Sequence, residues 1–464
     1  MTSRTRVSPP HAREAEFAFV FTQTGNPFVD SGVAALCELS NKDVPEEVTI
    51  DDVRKQLSYI FRLYSNRDWK KSIHGMIFPN ADLVNPAYKD DRGLTKYKKY
   101  MLDMLKRITP PQNSGNCVAC GRRDGVPVDK TRVPLLGSQK LVNFFPSGSS
   151  GERFCPACII AVQFMLLSIE KVGIPLMMHC MNWRIQLANA RRIMRWLKKQ
   201  SAKKEGGLVE LGYKMNAGLN AVYDAITEII QDKRIGIDDP HDLAVPLRFY
   251  HFTNYGQGPQ VNVHDIPSSV FEFLIEVERS RSRDAWRKIV RQGYGAARVG
   301  TDPSKSRPNS VYKSLTEMRS ILPFFFIKKE QRIIGDWDLV SLYLRKVRRM
   351  SEKRIDVIRE VADRILEFSK KSGSARRIRE MWSAASYRDF RTALLKLHAA
   401  AAKRDGRGLL TYDEYTLDLS PEGGRTWRET RDLLMFRIFE TGAPWLSGIS
   451  EDDVPVNEGT KEEP

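Results

Sequence analysis

Histidine and cysteine are scarce in this chain of 464 residues, with 7 and 6 copies. Long apolar runs are missing as well. The longest extends from Ile159 to Ile169, is interrupted by Gln163 and Ser168, and stops at Glu170 and Lys171. That is well short of the ~20 residues a membrane span needs. The first 13 residues are polar, contain Pro9 and Pro10, and lack the apolar core of a secretory signal. The expectation is therefore a cytoplasmic, reducing location in which disulfides are disfavoured. No phosphate-binding G-x-x-x-x-G-K-[ST] loop, G-x-S-x-G elbow or H-E-x-x-H helix occurs. Two His-Asp dipeptides, His241-Asp242 and His264-Asp265, lie in Pro-rich, strand-like or turn surroundings. A metal-dependent phosphohydrolase needs further His and Asp ligands presented from helices, so these dipeptides read as coincidence. The sequence offers no active site, and the expectation is a protein that is not an enzyme.

Positive charge is abundant. Lys and Arg total 74 against 57 acids, a formal net charge of +17. Such an excess points to a polyanionic partner, most simply a phosphate backbone, with a host whose proteins are generally basic or a membrane-surface role as the competing readings. The charge is unevenly spread. Between Arg345 and Arg407 there are 19 basic and 8 acidic residues, a net of +11. The segment Trp183 to Lys204 carries Arg184, Arg191, Arg192, Arg195 and four lysines around a seam of Ile185, Leu187, Ile193, Met194 and Leu197. Solvated helical faces are usually balanced in sign, so Arg191 and Arg195, and Arg376, Arg377 and Arg379 further on, are candidate nucleic-acid contacts.

The pattern predicts an α+β fold: a mixed domain over 1–300 and an all-α bundle over 310–450. Glu16 to Phe21 reads as a strand ended by the turn Gly25-Asn26-Pro27. Thr49-Ile50-Asp51-Asp52 is a capping box opening an amphipathic helix. Ile73 to Phe78 and Val245 to Phe252 read as strands, the second alternating Leu247, Phe249 and His251 against Arg248 and Tyr250. Residues 293–309, rich in Gly, Ser, Pro and basic residues, read as a linker or mobile loop. Beyond it, Ile358, Val361, Ile365 and Phe368 mark one helix. Ile378 to Leu397 marks a second after a break at Gly373, and Thr426 to Thr441 a third. The acidic stretch 451–464 reads as a disordered tail.

The sharpest signal is Cys117-Val118-Ala119-Cys120-Gly121 together with Cys155-Pro156-Ala157-Cys158, which makes 110–160 an insertion in the first domain. Each C-x-x-C turn lets two thiolates reach one tetrahedral metal, and two turns complete a four-sulfur shell. A redox C-x-x-C needs no second copy. Structural zinc on Cys117, Cys120, Cys155 and Cys158 is the expectation, with an iron–sulfur cluster as the alternative. Four thiolates leave no open coordination position for catalysis. Cys37 and Cys180 read as core residues. Between the knuckles, Arg122, Arg123, Lys130, Arg132 and Lys140, with Asn143, Phe144 and Phe145, suit either phosphate contact and base stacking or a plain solvated loop.

Two stretches resemble a known family. One is Thr24-Gly25-Asn26-Pro27-Phe28-Val29-Asp30-Ser31-Gly32. The other is Arg153-Phe154-Cys155-Pro156-Ala157-Cys158, followed by Val162-Gln163-Phe164 and Lys171-Val172-Gly173. Together they look like the large subunit of type I CRISPR Cascade complexes (CRISPR-associated family eight, the Cst and Myxan branch of subtype I-B). The similarity is clearest over 17–180. It implies a non-catalytic subunit that sits with backbone and crRNA-end-capping proteins and recognises the protospacer-adjacent motif in duplex DNA. The same resemblance implies R-loop stabilisation along the displaced strand, with a helicase-nuclease or transposition adaptor as downstream partner. By position and chemistry, Asn26, Arg122, Arg123, Lys130 and Lys140 are candidate motif contacts. The rival reading is a stand-alone zinc-containing RNA-binding or transcription-associated regulator, which needs no crRNA-bearing assembly.

Overall fold

The computed structural model describes residues 20–447, apart from 86, 89–90, 109–114, 124, 138–151, 236–244, 255–257, 296–301 and 328–331. The readings for Glu16 to Phe19, Lys140, Asn143, Phe144, Phe145, His241-Asp242 and the tail 451–464 lie outside the described residues. Compactness divides the chain into two units, Met1–Phe271 with Arg298–Pro308, and Glu272–Ala297 with Asn309–Pro464.

The first unit opens with α1 (Pro27–Ser40), α2 (Ile50–Tyr64), α3 (Arg67–Met76) and α4 (Arg92–Lys106). Thr49 and Asp52 form the expected capping box at the start of α2. The segment read as a strand from Ile73 is instead the end of α3. Asn66 caps that helix by accepting from Asp68 N at 2.8 Å, and Trp69 and Ile73, four residues apart, are buried together on one face. Capping and a helical apolar pair override the short β-like pattern.

Next come the short strands β1 (Val126–Val128) and β2 (Glu152–Phe154), paired antiparallel, and α5 (Pro156–Phe164). Every residue of α5 is buried, which explains why its sequence is apolar all round. Its polar exception, Gln163, is fully used. Tyr64 donates to its carbonyl at 2.7 Å, and its own amide donates to the Arg132 carbonyl at 3.0 Å.

Helix α1 lies against α5 at Gly32, where a Cβ would fall 1.8 Å from the Ala161 carbonyl oxygen. We expect Gly32→Ala to push the two helices apart and destabilise the unit by about 3 kcal/mol. A denaturation midpoint equal to that of the parent would show that this contact is not tight.

A five-stranded sheet completes the unit. Strands β3 (Glu170–Val172), β4 (Ile174–His179), β5 (Val209–Glu210), β6 (Leu247–Thr253) and β7 (Gln260–Ile266) stand in the order β5-β3-β4-β6-β7. All pairs are antiparallel except β3 with β5. Helix α6 (Trp183–Ala202) follows β4, and α7 (Gly218–Ile230) precedes β6. The predicted alternation holds on β6, with Leu247, Phe249 and His251 buried and Arg248 exposed. His251 Nε2 meets the Val172 carbonyl at 2.9 Å, and burial holds its basicity below the usual histidine value.

The second unit takes the end of α8 (Ser268–Arg279), then α9 (Arg283–Gln292) and α10 (Ser310–Thr316). A two-residue ladder of β8 (Phe326–Ile327) with β9 (Arg332–Ile333) precedes α11 (Trp337–Lys346), α12 (Glu352–Ser372), α13 (Arg376–Trp382), α14 (Tyr387–Asp405) and α15 (Trp427–Ser447). Gly373, at φ 69°, ends α12 in the left-handed conformation that glycine adopts without strain. The single helix expected from Ile378 to Leu397 is two, because Ser386 and Asp389 form a second capping box that restarts the chain as α14. The fold is thus mixed α and β, with a four-cysteine insertion and a helical C-terminal region, as the sequence predicts.

Candidate metal centre

The Sγ atoms of Cys117, Cys120, Cys155 and Cys158 all lie within 4.8 Å of one another. Local backbone chemistry builds this cluster. On the first knuckle, Gly121 N donates back to the Cys117 carbonyl at 2.8 Å, and Gly121 takes φ +66°, so the chain reverses without a Cβ clash. Cys117 N donates to the Arg123 carbonyl at 3.1 Å, and Val118 N to the Arg153 carbonyl at 2.9 Å. These bonds, with the β1–β2 pair, carry the first knuckle to the second. Cys155 is the N-cap of α5, with Pro156 at the first helical position, where its missing N–H costs nothing. The fourth ligand candidate, Cys158, lies on the first turn of that buried helix.

Backbone N–H groups point at the sulfurs. Cys155 N donates to Cys117 Sγ at 3.2 Å, and Cys158 N to Cys155 Sγ at 3.5 Å. Such donors favour thiolate character. The four groups also share protons among themselves. Hydrogen bonds from Cys120, then Cys155 and Cys158, hold the Cys117 thiol far below its ordinary value, while the bond to Cys117 and burial hold Cys158 well above it. Cys117, Cys155 and Cys158 are buried, and Cys120 is half-buried. A donor set of four converging sulfurs fits a soft or borderline metal ion. A tetrahedron with bonds of about 2.3 Å has edges of about 3.8 Å, and Cys120 Sγ stands 3.8 Å from Cys155 Sγ. Cys37 and Cys180 stay outside this cluster, both buried.

The motif Thr24 to Gly32 has its own structural logic. Asp30, fully buried, accepts from Thr24 N and Thr24 Oγ1 at 2.8 Å and from Gly25 N at 2.9 Å, and faces His179 Nε2 at 3.1 Å. Asn26 caps α1, its Oδ1 accepting from Phe28 N and Val29 N.

The basic candidates fall into different settings. Arg122 is exposed on the first knuckle, whereas Arg123 is buried and Lys130 half-buried. Arg191 sits between Glu38 and Asp43, and Arg195 meets Asp232 at 2.9 Å. Arg376 and Arg377 both reach Glu380, and Arg379 is half-buried. Elsewhere in the second unit, Arg364 pairs with Glu414, Arg437 with Asp363 and Lys371 with Glu367.

Helix α14 is different. Arg388, Arg391, Lys396 and Lys403 are exposed and have no acidic partner among the described residues. At 100° per residue they occupy one stripe about 22 Å long, opposite the buried Phe390, Leu394, Leu397 and Ala401. Sequence reading counted the charge of this region but missed the stripe, which the spacing 388, 391, 396, 403 encodes. His264 and Asp265 are neighbours on β7 and project to opposite faces of the sheet. Asp265 pairs with Arg248, so the dipeptide does not converge on a common ligand.

The site is therefore a four-cysteine cluster, able to hold a metal ion, built into the core of a mixed α/β unit. Residues 111–169 match a family model described as CRISPR-associated protein (Cas_CXXC_CXXC). That stretch spans both knuckles, β2 and α5, and the match supports a CRISPR-associated protein. No curated protein and no solved structure matches the chain. Among the described residues, no helix is long and apolar enough to cross a membrane.

Proposed function

We propose that this chain is the non-catalytic large subunit of a type I CRISPR Cascade complex, of the subtype I-B kind, holding structural zinc and binding target DNA. The observation that carries the reading is the coincidence of the family-matched segment with four converging thiols, two on the first knuckle and two at the start of α5. On this reading Cys117, Cys120, Cys155 and Cys158 hold the ion, which supplies cross-linking and no chemistry, because no coordination position stays open. The +17 net charge and the unpartnered stripe on α14 supply the phosphate-binding surface. Arg122, exposed on the metal-braced knuckle, and Lys130 lie where a short duplex motif can be met by a rigid loop. Sequence recognition beyond that motif belongs to base pairing with a guide RNA, and cleavage or transposition to a recruited partner.

Purification of the tagged chain from its native host, followed by sequencing of the RNA that accompanies it, tests the assignment. Repeat-flanked spacer RNA with co-purifying backbone subunits is expected. Heterogeneous RNA, or a chain recovered alone, would overturn it and favour the stand-alone regulator.

A further inference from the structure

A cavity of about 880 Å³ opens in the first unit between the end of α6, the segment around β5, and α7, closed on one side by Lys305. Its size falls within the ~300–1,000 Å³ usual for small-ligand pockets. Two aromatic rings line it, Trp196 and Tyr213. Each is presented by a hydrogen bond that fixes its orientation. Trp196 Nε1 donates to Glu228 Oε2 at 2.9 Å, and the Tyr213 hydroxyl donates to Asp224. Glu228 and Asp224 are four residues apart on α7 and so share a face. Each ring also carries an ammonium group on its face, Lys199 Nζ at 4.3 Å from the Trp196 centroid and Lys305 Nζ at 3.4 Å from that of Tyr213. Lys305 and Asp224 are both substantially desolvated, which lowers the basicity of the first and raises the pKa of the second.

From these features we infer that the cavity takes one unstacked nucleotide of a single strand. The base would lie against Trp196, its exocyclic amino group facing the carboxylates of Glu228 and Asp224, and its phosphates on Lys199 and Lys203. The aromatic and ionic groups named above then each have a use; Glu205 and Glu210 also line the cavity, Glu210 being paired with Lys171 at 3.1 Å. Lys199 is exposed, so its ammonium can leave the ring face for a phosphate as the base arrives. Carboxylates accept from the amino group of cytosine, and one indole N–H leaves Glu228 with spare acceptor capacity. A cationic peptide is the less suitable occupant. Lys198, Lys199, Lys203 and Lys204 cluster at the end of α6, and Lys199 and Lys305 already hold the ring faces. The inference rests on the nucleic-acid-binding reading above and gives it a second contact, away from the metal centre and from α14.

The test uses the full chain and fluorescein-labelled single strands of cytidylate or thymidylate, each about 12 nucleotides long. Trp196→Leu should weaken cytidylate binding about 5- to 100-fold while leaving the salt dependence unchanged, because stacking disappears and every phosphate contact stays. Trp196→Phe, which keeps a ring, should restore most of the affinity, and Glu228→Gln should narrow the preference for cytidylate over thymidylate. Trp196→Leu binding as tightly as the parent would overturn the inference, as would Trp196→Phe falling as far as Trp196→Leu. Capture of an arginine-rich peptide by the parent but not by Trp196→Leu would also overturn it, assigning the pocket to a protein partner. A parent that retains duplex DNA but neither single strand defeats this inference alone. A parent that retains no nucleic acid defeats the proposed function as well.

Discussion

If the four thiols hold the ion proposed, a chain carrying Cys117→Ser and Cys155→Ser should emerge from purification without the roughly one ion per chain expected of the parent, and with its first unit no longer cooperatively folded. The size of the effect follows from what the thiols support. Metal binding to a four-thiolate shell is worth roughly 10–16 kcal/mol in small zinc domains, comparable with the whole ~5–15 kcal/mol stability of a typical domain. In this chain the second knuckle is not peripheral. Cys155 caps α5, and α5 is buried along its full length, against α1 at Gly32. Loss of a bound ion would therefore unpin a core helix. Elemental analysis by mass spectrometry and a thermal melt provide the measurement. Equal metal content and an equal melting temperature in parent and variant would sink the metal centre.

Reversal of Arg388, Arg391, Lys396 and Lys403 to Glu should flatten the salt dependence of DNA retention by about three, at roughly 0.7–0.9 for each phosphate no longer neutralised. Across about 50 to 200 mM salt, the parent should lose affinity steeply and the variant little. The comparison that gives this meaning is reversal of Arg376 and Arg377. Those two arginines are already engaged by Glu380, three and four residues along the same helix. Replacing them removes exposed ion pairs worth about 0.3–0.5 kcal/mol each and should leave the salt slope where it was. Should the α14 variant keep the parental slope, the stripe is not a phosphate surface. Should Arg376 and Arg377 move the slope instead, local ion pairing is a poor guide to which cations meet DNA.

That contrast also marks what sequence reveals and what it hides. Metal-ligand spacing is local, so the two C-x-x-C turns were legible, as were the Thr49 capping box, the strand through Phe249 and the helix from Trp183. Helix α3 was not, because its decisive features are a cap at Asn66 and a pair at Trp69 and Ile73, which a short alternating pattern masks. The restart at Ser386 was available in principle from the same Ser-x-x-Asp logic that identifies α2. Charge partnering was out of reach. Arg191 looks like Arg388 along a sequence, yet one is lodged between Glu38 and Asp43 and the other is exposed with no acidic partner among the described residues, the adjacent Asp389 being engaged by Ser386. Partners such as these, up to about 150 positions away, are set by the fold rather than by neighbours in the chain.

The burial of the thiols has a kinetic consequence. Three of the four are shielded from solvent and the fourth is half-covered, so a chelator of ordinary size has almost no sulfur to approach in the closed state. Exchange of whatever ion they hold must wait for the first knuckle to lift from the start of α5. The rate of metal loss then stops depending on chelator concentration once that is high, and becomes a clock for local opening of the protein.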